Sequence, residues 1–250
     1  MAEFCIEIAG RVAAVHSLFA STRDYCRAYL TPKAPDTLLS VSREDLAAEQ
    51  EYLYAEARQE GIRLRTFPEP FLERAVIQRK LADFLFEDGV LLFHGSTVAV
   101  DGAAYLFTAP CGTGKSTHTR LWRQLLGERA VMVNDDKPFL RITPEGVLAC
   151  GSPWSGKHGL DTNITVPLGG ICVLERGQEN RIWPSDPDAL LPLFLHQSHC
   201  PPGREAALAR LVHGLAHSVP LWQMACTKEV QAAQAAYSAM SGNHWAAPSE

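Results

Sequence analysis

The sequence predicts an α/β fold built around a strand, a glycine-rich loop and a helix, with a small α+β N-terminal region before it and a helical C-terminal end after it. Three observations predict it. A glycine-rich run, Ala109-Pro110-Cys111-Gly112-Thr113-Gly114-Lys115-Ser116-Thr117, stands between a β-prone segment and a helical one. Short apolar segments separated by turn residues crowd the stretch from Val90 to Cys150, as closely spaced strands do. Beyond Asp186 the apolar residues recur at helical intervals. The predicted organisation is an N-terminal region over residues 1–70, a nucleotide-binding domain over 71–242 and a loose tail over 243–250.

In chain order, residues 4–8 alternate apolar and polar like a strand, and 12–15 supply its partner across a turn at Gly10-Arg11. A helix is expected over 23–30, stopped by Pro32, and a short strand over 36–41. Ser42 followed three positions later by Asp45 makes a capping box, which opens a helix running to Ala57 with its charges on a solvated face. Pro68-Glu69-Pro70 breaks the chain, and a helix over 71–86 is expected to pack against the second region. Strands follow at 90–93 and 97–100, then Tyr105-Leu106-Phe107-Thr108 leads into the glycine-rich run. Behind it, His118, Leu121, Trp122 and Leu125 have helical spacing up to Gly127. The apolar run 130–133 ends in Asn134-Asp135-Asp136, and 139–142 with 147–150 read as a hairpin across Pro144-Glu145-Gly146. A strand over 170–174 and helices over 186–199, 204–217 and 228–240 complete the chain.

Composition narrows the function classes. The net charge is −5, with no clustering of Lys and Arg, so a surface for duplex nucleic acid is not expected. Seven cysteines are scattered without paired spacing, which suits a reducing compartment better than a disulfide frame. No apolar segment approaches the about 20 residues that cross a bilayer. A cytoplasmic protein without a membrane partner is the expectation, and homo-oligomer formation is left open.

The run from Ala109 fits the spacing Gly/Ala-x4-Gly-Lys-Ser/Thr. In that arrangement main-chain N–H groups wrap two phosphates, the lysine reaches the outer ones, and the hydroxyl meets Mg²⁺. Ala109, Gly112, Thr113, Gly114, Lys115, Ser116 and Thr117 are therefore the expected ATP-binding residues. A helix starting near Lys115 points its positive dipole end at the same place. Ser116 offers only one oxygen to the cation, so a carboxylate must come from elsewhere. Asp135 and Asp136, closing an apolar strand, are the source. One would hold Mg²⁺ while the other takes a proton from an attacking hydroxyl; the sequence does not order the two.

These residues resemble a known family. His94-Gly95, Val98-x-Val100, the run 109–116 and Asn134-Asp135-Asp136 come in the order seen in bacterial HPr kinase/phosphorylase, which is similar in its nucleotide site to phosphoenolpyruvate carboxykinase. The resemblance covers residues 89–140. It implies ATP and Mg²⁺ as cofactors, the metal-ligand and general-base roles for Asp135 and Asp136, and a supporting catalytic role for His94 beside the transferred phosphate. Thr117 stands where that family usually has an acidic residue.

The segment Gly151-Ser152-Pro153-Trp154-Ser155-Gly156-Lys157-His158-Gly159 is too rich in glycine for regular structure. Lys157 there is either a cation that swings onto the γ-phosphate or part of a solvated turn, and Trp154 offers a flat face to a base or substrate. His196, His199 and Cys200 fall on one expected helix as a weak metal-ligand set. His213 and His217, one turn apart, read as helix-face residues. The expected activity is γ-phosphoryl transfer from ATP to a hydroxyl of a peptide, carrier protein or small molecule. An ATP-sensing binding module and carboxykinase-like transfer on a small oxo acid are the alternatives.

Overall fold

Strands β1 (Ala2–Ile8) and β2 (Arg11–Ser17) pair antiparallel. Ala9 and Gly10 both take positive φ between them, the backbone shape that matches the twist of a tight hairpin. The computed structural model describes residues 2–59, 61, 63–110 and 113–243. After the short helix α1 (Ala20–Tyr25), β3 (Thr37–Ser40) joins β2 in parallel and completes a three-stranded sheet in the order β1-β2-β3.

Helix α2 (Arg43–Gln59) starts where the capping box predicts: Asp45 Oδ2 accepts from the Ser42 N–H at 2.8 Å, and Ser42 Oγ accepts from the Asp45 N–H at 3.2 Å. Its charges are not all on a solvated face. Glu49 is 5% exposed, and its carboxylate takes two hydrogen bonds from Arg79, at 3.0 and 2.7 Å, on α3 (Glu69–Phe86). Arg79 in turn lies 3.8 Å from the Tyr52 ring centroid. On α3, Glu73 is fully buried and accepts from the Leu18 and Phe19 N–H groups and the Thr22 hydroxyl.

The chain divides into two units, Met1–Glu87 and Asp88–Glu250. The boundary read from Pro68-Glu69-Pro70 falls before α3, whereas α3 packs on α1, α2, β2 and β3 and so belongs to the first unit. The prolines start a helix here instead of ending a domain, because the lost N–H is one that a first helical turn leaves unpaired anyway.

The second unit holds β4 (Val90–Leu92), β5 (Ser96–Val100), β6 (Ala103–Thr108), α4 (Lys115–Leu126), β7 (Ala130–Asn134), the hairpin β8 (Phe139–Thr143) and β9 (Gly146–Cys150), and β10 (Thr165–Arg176). It ends with β11 (Arg181–Pro184), α5 (Pro187–Gln197), α6 (Glu205–Ser218), β12 (Leu221–Cys226) and α7 (Val230–Ser241). Its nine strands form one mixed sheet, in the order β4-β8-β9-β10-β6-β5-β7, with β12 also on β10 and β11 on β12. The sheet curls at β10, whose first residues pair with β9 and whose later ones pair with β6 and β12, with a register shift between Leu168 and Gly170. Gly170 is required there, since a Cβ would stand 2.3 Å from the Trp222 ring.

The C-terminal part is therefore not purely helical: β11 and β12 interrupt it. Segment 221–226, Leu-Trp-Gln-Met-Ala-Cys, is too short to show a period of its own.

Helix α4 covers the sheet with Leu121, Trp122 and Leu126, packed with Val98, Phe107, Met132 and the alanines of α7. His118 is part of this core. Its Nε2 accepts from the Trp122 indole at 3.2 Å, and burial lowers its pKa to about 3, so the ring stays neutral. Among the described residues no helix is long and apolar enough to cross a membrane.

Candidate phosphate-transfer site

Sheet topology brings the sequence-predicted residues together. Strands β5 and β6 are antiparallel, as are β5 and β7, so β6 and β7 run the same way with β5 between them. Their C-terminal ends share one edge of the sheet, about 10 Å apart at one intervening strand. The run from Ala109 leaves β6 at that edge, and Asp135-Asp136 leaves β7 there. Because β5 runs the opposite way, its start, preceded by His94-Gly95, lies between them. Gly95 is held tightly: a Cβ would come 2.9 Å from Leu106 and 3.2 Å from the Phe107 carbonyl.

Ala109 is fully buried, and its carbonyl accepts from Lys115 Nζ at 3.2 Å. That bond folds the lysine back over the loop. The Pro110 carbonyl accepts from the Thr113 hydroxyl at 2.8 Å. Gly114, at φ +119°, precedes the first turn of α4 in a conformation that suits glycine. No side chain caps α4, and its first turn carries no acid, so the positive end of the helix is left for an anion. Ser116 Oγ donates to the Asp135 carbonyl at 3.4 Å, and Thr117 is half-buried on the same turn. Gly112 and Cys111 lie outside the described residues.

Asn134 organises the acidic pair. Its side-chain oxygen accepts from the Asp136 and Lys137 N–H groups at 2.8 and 2.7 Å, turning the chain so that the two carboxylates need not point to opposite faces as they would in a strand. Its amide donates to the Ser152 carbonyl and hydroxyl and to the Trp154 carbonyl.

The two aspartates differ. Asp135 is 3% exposed; Oδ1 accepts from the Gly156 N–H at 2.5 Å, while Oδ2 is buried and accepts no hydrogen bond among the described residues. Burial raises its pKa, with Asp136 adding to the rise and the Gly156 N–H and His158 opposing it. Asp136 is more accessible, and His94 Nε2 stands 3.4 Å from its Oδ1. Burial works against its charge, yet His94, Lys137 and Lys115 outweigh that and lower its pKa.

The glycine-rich loop is strapped to the end of β7. The Leu160 carbonyl accepts from the Asp135 N–H, and the Val133 carbonyl from the Thr162 N–H. Lys157 is exposed at the turn next to Gly156. Trp154 is 6% exposed, so it presents no flat face to a ligand; the aromatic ring serves packing. His199 and Cys200 lie beyond the end of α5, so with His196 they do not share a helix face. The contacts of Asn134 and Gly156 escaped the sequence reading, although an Asn before two Asp residues at a strand end is a recognisable turn signal.

A buried carboxylate oxygen with no hydrogen bond among the described residues, on a residue whose carbonyl accepts from Ser116, fits a hard divalent cation, and the uncapped start of α4 fits an anion. No protein-family model matches the chain, and no curated protein matches it in sequence. A solved HPr(Ser) kinase/phosphatase from Coxiella burnetii is similar over 54% of this chain and 85% of its own, with 10% identity and a TM-score of 0.32. A likeness of that degree carries no argument about what this chain does.

Proposed function

We propose that the chain is an ATP-dependent phosphotransferase of the HPr-kinase-like kind, moving the γ-phosphoryl group to a hydroxyl of a peptide, protein or small molecule. The observation that supports this most is Asp135 Oδ2, a buried carboxylate oxygen with no hydrogen-bond partner among the described residues, on a residue whose carbonyl accepts from the Ser116 hydroxyl. A charge left so is costly unless a cation joins it.

In this reading the main-chain N–H groups over 112–117 and the Lys115 ammonium hold the phosphates. Asp135 and Ser116 hold Mg²⁺, which supplies charge neutralisation of the phosphates when bound. Asp136, the more accessible acid, accepts the proton of the acceptor hydroxyl as its oxygen attacks phosphorus and the bond to the bridging oxygen of ADP breaks. His94 orients that carboxylate and sustains its ionised form. Lys157 moves onto the transferring phosphoryl group.

Calorimetric titration of Mg-ATP, followed by assay of Mg²⁺-dependent ATP turnover with water as surrogate acceptor, tests the reading. Binding together with turnover that Asp136→Asn removes supports it. Binding without any turnover would favour the ATP-sensing module, and nucleotide-dependent use of a small oxo acid would favour the carboxykinase-like reaction. No binding of Mg-ATP sinks all three.

A further inference from the structure

We propose that Asp188, His213 and His217 form a surface site for a divalent transition-metal ion of the zinc class, apart from the phosphate site. Their ligand atoms all lie within 4.8 Å of one another, and all three residues are exposed. Asp188 stands in the first turn of α5, and the two histidines stand one turn apart on α6.

The convergence of three ligand atoms carries the inference, and the hydrogen bonding of His217 accords with it. His217 Nδ1 lies 2.9 Å from the His213 carbonyl oxygen. A ring nitrogen bonded to a carbonyl oxygen must carry the hydrogen, so the neutral ring presents a lone pair at Nε2. That atom faces Asp188 Oδ1 at 3.5 Å. Two acceptors opposed in this way would be satisfied by a cation between them. A second ring proton could supply one, whereas a metal ion would also engage His213, whose imidazole stacks on that of His217 with centroids 4.1 Å apart and planes 21° apart.

A metal ion uses all three. The Nδ1–H bond to a backbone carbonyl is the outer-shell contact that metal-binding histidines commonly make, and it fixes the tautomer in advance. Two imidazoles and one carboxylate suit zinc, copper or nickel, whereas Mg²⁺ prefers oxygen ligands. Tetrahedral zinc with bonds of about 2.0–2.1 Å sets its ligands roughly 3.3 Å apart. The side chains must therefore draw together, and the stacked rings must rotate so that both in-plane lone pairs meet the ion, which their exposure permits. On binding, any second proton on His217 passes to solvent as Nε2 takes the metal, and water fills the remaining position. The ion would clamp α5 to α6.

Calorimetric titration of zinc chloride into the chelator-treated full chain, beside the His213→Ala/His217→Ala double variant, tests this. The expected result is one more zinc equivalent bound by the unaltered chain, with Asp188→Asn weakening that binding at least about ten-fold, since even outer-shell changes cost that much. Zinc should raise the melting temperature of the unaltered chain and not that of the double variant. His213→Gln provides the same comparison if the double variant fails to fold. Equal zinc stoichiometry in both proteins, or no zinc uptake by the unaltered chain, overturns the proposal. The Asp135→Asn variant should keep the equivalent; its loss there would assign the zinc to the phosphate site instead.

Discussion

The two units bury acids in opposite ways. In the first, Glu49 and Glu73 are buried with their oxygens engaged, by the Arg79 fork in one case and by two N–H groups and a hydroxyl in the other. In the second, Asp135 is as buried as Glu49 but keeps Oδ2 without a hydrogen bond among the described residues. Satisfied buried acids hold elements together, as Glu49 ties α2 to α3. An unsatisfied one stores an electrostatic cost that a structural role does not repay, which makes it the better sign of a ligand.

The sharpest way to break this contrast is kinetic. Asp136→Asn should lower ATP turnover by about 10²- to 10⁴-fold, the usual share of a general base, while calorimetry shows Mg-ATP still bound. Asp135→Asn should instead lose the Mg²⁺-dependent part of nucleotide binding. If both variants turn over ATP normally, the acidic pair has no part in the chemistry.

Next in size is the structural acid. Glu49→Ala leaves the Arg79 guanidinium without its partner and should cost about 3 kcal/mol, the low end for breaking a buried pair because Arg79 is partly exposed. Urea unfolding measures it. An unchanged midpoint would mean that the pair is structurally idle.

Lys157→Ala should have a smaller effect. An exposed ammonium contributes about 1 kcal/mol at most, so turnover should fall roughly five-fold, with nucleotide affinity nearly unchanged and the remaining effect weakened by added salt.

The smallest effect has a diagnostic sign. Because burial raises the Asp135 pKa, its contribution to stability is full below the unfolded value, near 3.8, and is lost as pH rises through the folded value. Without Mg²⁺, Asp135→Asn should therefore melt slightly higher than the unaltered chain at neutral pH, and the gain should vanish as pH falls below about 4. Glu49→Gln should show no such gain. A neutral-pH loss of stability in Asp135→Asn would mean that the carboxylate is a structural acid after all.

Much of the candidate site was legible because its parts are short and contiguous. The start of α4 at Lys115 behind Gly114, the turn that carries the acids after β7 and the Ser42/Asp45 capping box are each set by neighbours a few residues apart, and each took the local form its residues favour. Trp154 was misread because an aromatic ring in a glycine-rich loop suits either a ligand or the core, and only burial separates the two. Glu49 was misread because helical spacing cannot show that an arginine 30 residues away approaches it. Strand β12 was missed since it exists through pairing with β10 and β11.

What the sequence determined by itself was the inventory: a glycine-rich run between strand and helix, two adjacent acids at a strand end, and a histidine ahead of both. Chain neighbours decide those features through backbone preference and apolar period. Only the tertiary structure decided that β5 runs back between β6 and β7, setting His94 against Asp136, and that the Gly156 N–H occupies one oxygen of Asp135 while the other accepts no hydrogen bond among the described residues. Burial and pairing are made by segments far apart in the chain, so no local pattern encodes them.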